Sequence, residues 1–229
     1  MKIGGLQRVS LIDYPGQISA VVFSQGCNFR CSYCHNPELV EPTLYDQCLP
    51  EEDFFSFLNS RKEKLDGVTI TGGEPTLQQD LISFIKNIKK MGFLVKIDTN
   101  GSFPDILAKL IKDKLVNYIA MDIKAPLEKY PAIAGAYINK DMIKRSIETV
   151  MLSGIEYEFR TTVVKSQLTE KDISSIGRLI KNACTYVLQP FIPSKALDGK
   201  FLGETSYPYE EFEKIRKRLE KYISRVLIR

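Results

Sequence analysis

Tryptophan is absent from the 229 residues, and histidine occurs once, at His35. A single imidazole with no evident carboxylate partner argues against a Ser–His–Asp triad and against a metal site built mainly on histidine. Charge of one sign is also scarce. There are 32 basic and 28 acidic residues, a net +4, too small and too spread out a surplus for a nucleic-acid footprint. The most basic stretch, Lys214 to Arg229, has Glu220 within it and Glu210, Glu211 and Glu213 just before it, and reads as a solvated helix face. No apolar run approaches the ~20 residues that span a bilayer. Met1 to Ser10 has no long apolar core of the signal-peptide type. The reading is therefore a cytoplasmic protein with neither membrane nor nucleic acid as partner. In such a reducing compartment, close-set cysteines point to metal ligation before disulfides.

What is present is an alternation. Ile18–Ser24, Val68–Thr71, Phe93–Asp98, Tyr118–Asp122, Tyr157–Val164 and Tyr186–Gln189 are short apolar or β-branched runs and read as strands. Helical patterns lie between and after them, over Leu77–Met91, Pro104–Lys112, Lys140–Leu152, Glu170–Asn182 and Tyr209–Val226. The first of these puts Leu77, Leu81, Phe84, Ile85 and Ile88 on one face, with Gly92 as a C-cap. Six such repeats in one 1–229 domain predict an α/β fold, a partial (β/α)6 TIM-type barrel of parallel strands joined by right-handed crossovers. Chemistry in such barrels gathers in the loops after the strands' carboxyl ends. The polar motifs fall at those places: after Ser24, after Ile70, at Asp98 and at Asp122.

The segment Gly26–Val40, GCNFRCSYCHNPELV, spaces Cys27, Cys31 and Cys34 as C-x3-C-x2-C. Three thiolates on one loop cannot pair off as disulfides without a remainder, and thiolates suit soft sites such as zinc or iron–sulfur. Zinc would need His35 as fourth ligand, and the adjacency of Cys34 and His35 makes joint closure on one tetrahedral ion awkward. A 4Fe–4S cluster on three cysteines leaves one iron open to an outside molecule. Cys48 and Cys184 stand apart and read as ordinary buried thiols.

This spacing, with the aromatic Tyr33 before the third cysteine, resembles the signature of the radical S-adenosylmethionine (SAM) superfamily. His35-Asn36 after it looks like the activating enzymes of glycyl radical enzymes. Leu11 to Val40 is similar throughout to the activating proteins of anaerobic ribonucleoside-triphosphate reductase. The resemblance implies a cluster on Cys27, Cys31 and Cys34, with SAM chelating the open iron through its amino and carboxylate groups. It also implies reductive cleavage of SAM to a 5′-deoxyadenosyl radical, and hydrogen abstraction from a glycine of a partner, with flavodoxin or ferredoxin as reductant. Two alternatives stand beside it: a radical SAM enzyme acting on a small molecule, as 7-carboxy-7-deazaguanine synthase does, and a zinc-stapled interaction module.

Further motifs extend the resemblance. Thr71-Gly72-Gly73-Glu74-Pro75 after the second predicted strand looks like the turn whose backbone binds the SAM amino group, with Glu74 helping to hold that amine. Asp98-Thr99-Asn100-Gly101 and Met121-Asp122-Ile123-Lys124 resemble pyruvate formate-lyase activating enzyme. The likeness implies a monovalent cation on Asp98 and Asp122 and a SAM carboxylate contact from Lys124. Arg160, inside an apolar strand, needs a partner: a structural ion pair or SAM itself. His35 reads as a packing or hydrogen-bonding group beside the cluster, and Gln189-Pro190-Phe191 as core or as a flank for adenine.

Overall fold

A computed structural model describes residues 1–229. Its sheet has eight strands in sequence order: β1 (Ile3–Ser10), β2 (Ser19–Ser24), β3 (Gly67–Gly72), β4 (Leu94–Thr99), β5 (Tyr118–Asp122), β6 (Glu156–Val163), β7 (Thr185–Pro190) and β8 (Arg225–Ile228). β2 through β8 are parallel and β1 alone is antiparallel, paired with β2. The six expected strands are β2 to β7. The two additional strands escape pattern reading for local reasons. β1 begins Ile-Gly-Gly and turns polar at Gln7-Arg8 along an exposed edge. β8 is four residues long and follows a helix after a short turn over residues 220–224.

The helices are α1 (Pro37–Val40), α2 (Glu51–Ser60), α3 (Leu81–Lys90), α4 (Pro104–Lys112), α5 (Tyr130–Ala134), α6 (Lys140–Met151), α7 (Glu170–Leu179) and α8 (Tyr209–Leu219). α3 buries Leu81, Phe84, Ile85 and Ile88 as its periodicity requires. It starts four residues later than expected, because Pro75–Leu77 forms a separate 3-10 turn and leaves Leu77 40% exposed. Gly92 follows the helix with φ +94°, as the C-cap reading needs. α7 opens on a reciprocal capping box between Thr169 and Asp172. α8 ends at Leu219, where the predicted helix ran on to Val226. The backbone there turns to pair with the segment before β7: Asn182 N–H donates to the Tyr222 carbonyl and Ser224 N–H to that of Ala183.

Alternate residues of each strand face the helices and the barrel interior. On β4, Val95 and Ile97 are buried in the apolar cluster shared with the helices. Lys96 and Asp98 point inward, where charged and aromatic groups from β5 and β6 meet them. Tyr14, from the loop joining β1 to β2, sits at the strands' amino ends. Its ring centroid is 6.0 Å from that of Tyr118. The Tyr118 hydroxyl donates to buried Glu158 at 3.2 Å, and Arg229 pairs with the same carboxylate at 2.8 Å. This end of the barrel is closed by side chains, which leaves chemistry to the other end.

Candidate active site

At the carboxyl ends of β2 and β3 two loops touch backbone to backbone. Gly73 N–H donates to the Ser24 carbonyl at 2.8 Å, and Glu74 N–H to the Gly26 carbonyl at 2.8 Å. The fit admits no side chain: a Cβ on Gly73 would lie 2.1 Å from the Gly26 oxygen. Gly72 has φ +110°, open to glycine and strained for other residues. The glycine pair therefore clamps the cysteine loop onto β3. Two further hydrogen bonds hold that loop, from Arg30 N–H to the Ala134 carbonyl (2.7 Å) and from Asp198 N–H to the Ser32 carbonyl (2.9 Å). Arg30 also reaches back to the Cys27 carbonyl at 2.7 Å.

Cys27, Cys31 and Cys34 all line one cavity of about 420 Å³, together with Gly72, Gly73, Asp98, Asp122, Lys124 and Arg160. All five cysteines are free thiols, with Cys31 buried and its two neighbours half-buried. Burial pushes the Cys27 thiol up to about 12 and raises Cys31 and Cys34 as well. A positive iron centre reverses that preference, since it binds thiolate. His35 is turned to the Ile192 carbonyl (2.9 Å) and stacks on Phe191 with centroids 5.2 Å apart. The zinc arrangement of Cys34 with His35 is thus not the one formed. The free thiols, the glycine clamp and the adjoining cavity suit a cluster with an exposed iron.

The predicted charged residues, joined by Lys96, form a chain of alternating sign. Lys96 pairs with Asp98, Asp98 with Arg160 (3.0 Å), Arg160 with Asp122 (2.9 Å) and Asp122 with Lys124 (2.9 Å). Burial works against the charged forms of Asp98, Asp122, Lys124 and Arg160. For Asp122 it is overcome by Arg160 and then Lys124, which hold its carboxyl well below the carboxylate range. Asp98 is lowered in the same way by Arg160 and Lys96. Lys124 stays protonated against burial because Asp122 faces it. Arg160 makes the ion pairs of the structural reading and also reaches the cavity.

Glu74 is the predicted residue that the structure keeps from the cavity lining. Its carboxylate is 1% exposed and accepts from Thr76 N–H (3.0 Å), the Thr76 hydroxyl, the Thr99 hydroxyl (2.8 Å) and Asn100 N–H (2.6 Å). It ties the glycine turn to β4. Sequence reasoning passed over Asn28, Asn100 and Ser102. Asn100 donates to Asn28 Oδ1 at 3.0 Å, Asn28 donates to the Ser102 hydroxyl at 3.0 Å, and that hydroxyl donates to Asn100 Oδ1 at 2.6 Å. The polar run after β4 was the only signal for Asn100 and Ser102, and the place of Asn28 inside the cysteine loop the only one for it. Lys96 was also missed, though a lysine two residues before Asp98 in a strand must share its face. Cys48 is half-buried, donating to Gln25 Oε1 at 3.4 Å, while Cys184 is exposed, against the expectation of a buried thiol.

A three-cysteine loop clamped by glycines at the carboxyl end of an open parallel α/β barrel defines a class of iron–sulfur enzymes that use SAM. The sequence profile of the Radical SAM superfamily matches residues 21–180. A Methanocaldococcus jannaschii protein that carries the name of a glycyl-radical enzyme activating enzyme is 35% identical over 99% of this chain and 95% of its own. The chain belongs to the radical SAM superfamily and, within it, to the glycyl-radical enzyme activating enzymes, whose cofactors are a 4Fe–4S cluster and SAM. Pyruvate formate-lyase-activating enzyme of Clostridium pasteurianum is 29% identical over 99% of this chain and 98% of its own. Among solved structures, a domain of pyruvate-formate lyase-activating enzyme from Bacteroides vulgatus superposes with TM-score 0.58 at 18% identity. It covers 71% of this chain and 98% of that one, a likeness of fold. No helix is long and apolar enough to cross a membrane.

Proposed function

We propose that this enzyme installs a glycyl radical on anaerobic ribonucleoside-triphosphate reductase. The observation that carries the site assignment is the convergence of three free cysteines, the Gly72–Gly73 turn and Lys124 on one cavity. The likeness of Leu11–Val40 to the reductase-activating proteins selects this partner over pyruvate formate-lyase.

When bound, the cluster and SAM supply one electron and a carbon radical able to take the glycine α-hydrogen. The chain's own residues bind and orient. Cys27, Cys31 and Cys34 would hold the cluster. The Gly72–Gly73 backbone receives the SAM amino group, and Glu74 fixes that turn from behind without touching the ligand. Lys124, held charged by Asp122, meets the SAM carboxylate. Arg160 keeps Asp98 and Asp122 ionised without mutual repulsion; a monovalent cation beside SAM would share these two aspartates with it. No side-chain acid or base is needed, in keeping with a lone histidine stacked on Phe191. Exposed Ile192 lies next to that stack and offers an apolar contact for an entering glycine-bearing loop. The 1–229 span acts as one unit in this reading, with a flavodoxin- or ferredoxin-type protein delivering the electron.

The test is anaerobic incubation of the reconstituted enzyme with SAM, dithionite and either anaerobic ribonucleotide reductase or pyruvate formate-lyase from the same cell. A glycyl radical signal in electron paramagnetic resonance (EPR) is expected on the reductase. A signal on pyruvate formate-lyase alone would overturn the choice of partner. SAM cleavage with a radical on neither protein would overturn the function.

A further inference from the structure

Tyr33 stands between Cys31 and Cys34 and is 4% exposed. Its ring is wedged edge-on against Phe191, with centroids 6.4 Å apart and planes at 73°. The hydroxyl is buried and makes no hydrogen bond of ordinary geometry. A buried O–H without a partner is costly, so its persistence in a site calls for an acceptor. The neighbouring polar groups are already committed. Lys124 pairs with Asp122, and the Tyr130 hydroxyl donates to the Asp122 carbonyl at 3.3 Å.

The donors to the three sulfurs complete the picture. Cys27 Sγ accepts from Phe29 N–H at 3.3 Å, with the Asn100 amide 4.0 Å away. The Asn36 backbone favours the Cys34 thiolate against burial. Cys31 is the most buried of the three, and the unpartnered Tyr33 hydroxyl beside it favours its thiolate.

We propose that the Tyr33 hydroxyl donates to the sulfur of Cys31 and thereby sets the reduction potential of the cluster. The inference rests on the proposed cluster site. Tyr33 is a positioning residue here, acting through Cys31. Reduction adds one electron to the cluster and no proton, so negative charge on the sulfurs grows. An O–H dipole aimed at one of them favours the reduced form more than the oxidised form and raises the potential.

The test is an EPR-monitored redox titration of anaerobically reconstituted enzyme with dithionite as electron source. In Tyr33→Phe the midpoint is expected to move to more negative potential, with the equilibrium constant for reduction down by roughly threefold to tenfold, the scale of one ordinary net hydrogen bond. Replacing Tyr33 by 3-fluorotyrosine keeps the ring and strengthens the donor, and is expected to move the midpoint the other way. An unchanged midpoint in Tyr33→Phe at wild-type iron content overturns the proposal. If that variant fails to hold the cluster, an unshifted fluorotyrosine enzyme overturns it. Failure of the wild-type chain to assemble a cluster would instead overturn the cysteine assignment.

Discussion

Arg160 is the residue on which the interior charges depend. Its guanidinium touches Asp98 and Asp122 at once. Removing it leaves two inward-facing carboxylates with only the lysine at either end of the chain. In Arg160→Gln the folded protein is expected to lose about 3 kcal/mol, the usual cost of stripping one partner from a buried ion network. Denaturant unfolding at neutral pH measures this, and a loss below about 1 kcal/mol would show that Lys96 and Lys124 suffice. The deficit of this variant relative to wild type should shrink as pH falls. The lowered carboxyls of Asp98 and Asp122 stabilise the native state above the ordinary carboxylate range, and that gain disappears as pH falls through their folded values. Lys124→Ala should weaken SAM binding in calorimetric titration while leaving iron content intact. Unchanged affinity would remove Lys124 from the SAM site.

Residue identity was legible wherever chemistry demands a rare spacing. Cys27, Cys31 and Cys34 announce a cluster because three thiols that close have few other uses. The direction of a side chain was not legible. Glu74 lies beside two cavity glycines in sequence, yet its carboxylate turns back to Thr76, Thr99 and Asn100. That outcome depends on two hydroxyls and two backbone N–H groups, one of each belonging to a strand end 25 and 26 residues away.

At the scale of elements, the glycine turn after β3 matters most, because it joins two loops rather than merely ending a strand. Gly73→Ala forces a methyl against the Gly26 carbonyl, so the cysteine loop must shift. The expected result is a soluble protein with reduced iron content after reconstitution, read by iron analysis and visible absorption. Full cluster content would mean that the loop accommodates the methyl. α7 offers an independent check far from the site. Thr169→Ala removes the capping hydroxyl that receives Asp172 N–H and should cost about 1 kcal/mol with iron content unchanged. The strands of the expected barrel were readable because β-branched runs recur between amphipathic helices. β1 and β8 were not, since an edge strand can be polar and a four-residue strand has no period to detect. The same limit applies to α3, whose apolar face begins at Leu77 in sequence but at Leu81 in the helix, after a turn stabilised by Glu74.

For the whole molecule, the two ends of the barrel do different work. The amino end is sealed by Tyr14, Tyr118, Glu158 and Arg229; the carboxyl end is open. Burial pushes the Tyr14 phenol up to about 12, and Tyr118, Tyr130 and Tyr186 are raised further by the same cause. A folded-state value above the unfolded value of about 10 means stability that is complete below that pH and is lost as pH rises beyond it. Phenolate absorbance from these tyrosines is therefore expected to emerge together with loss of circular dichroism. Their ionisation near pH 10 in a still-folded protein would contradict the sealed interior.

The central claim is that three cysteines hold a cluster which cleaves SAM. The most direct measurement is the release of methionine and 5′-deoxyadenosine from SAM by anaerobically reconstituted enzyme under dithionite, compared with Cys27→Ala, Cys31→Ala and Cys34→Ala. The account predicts reductant-dependent cleavage by the wild-type chain and its loss in each of the three variants, with Cys48→Ala and Cys184→Ala unaffected. Cleavage that survives any one of the three substitutions, or a wild-type chain with its cluster intact that leaves SAM untouched, would contradict it.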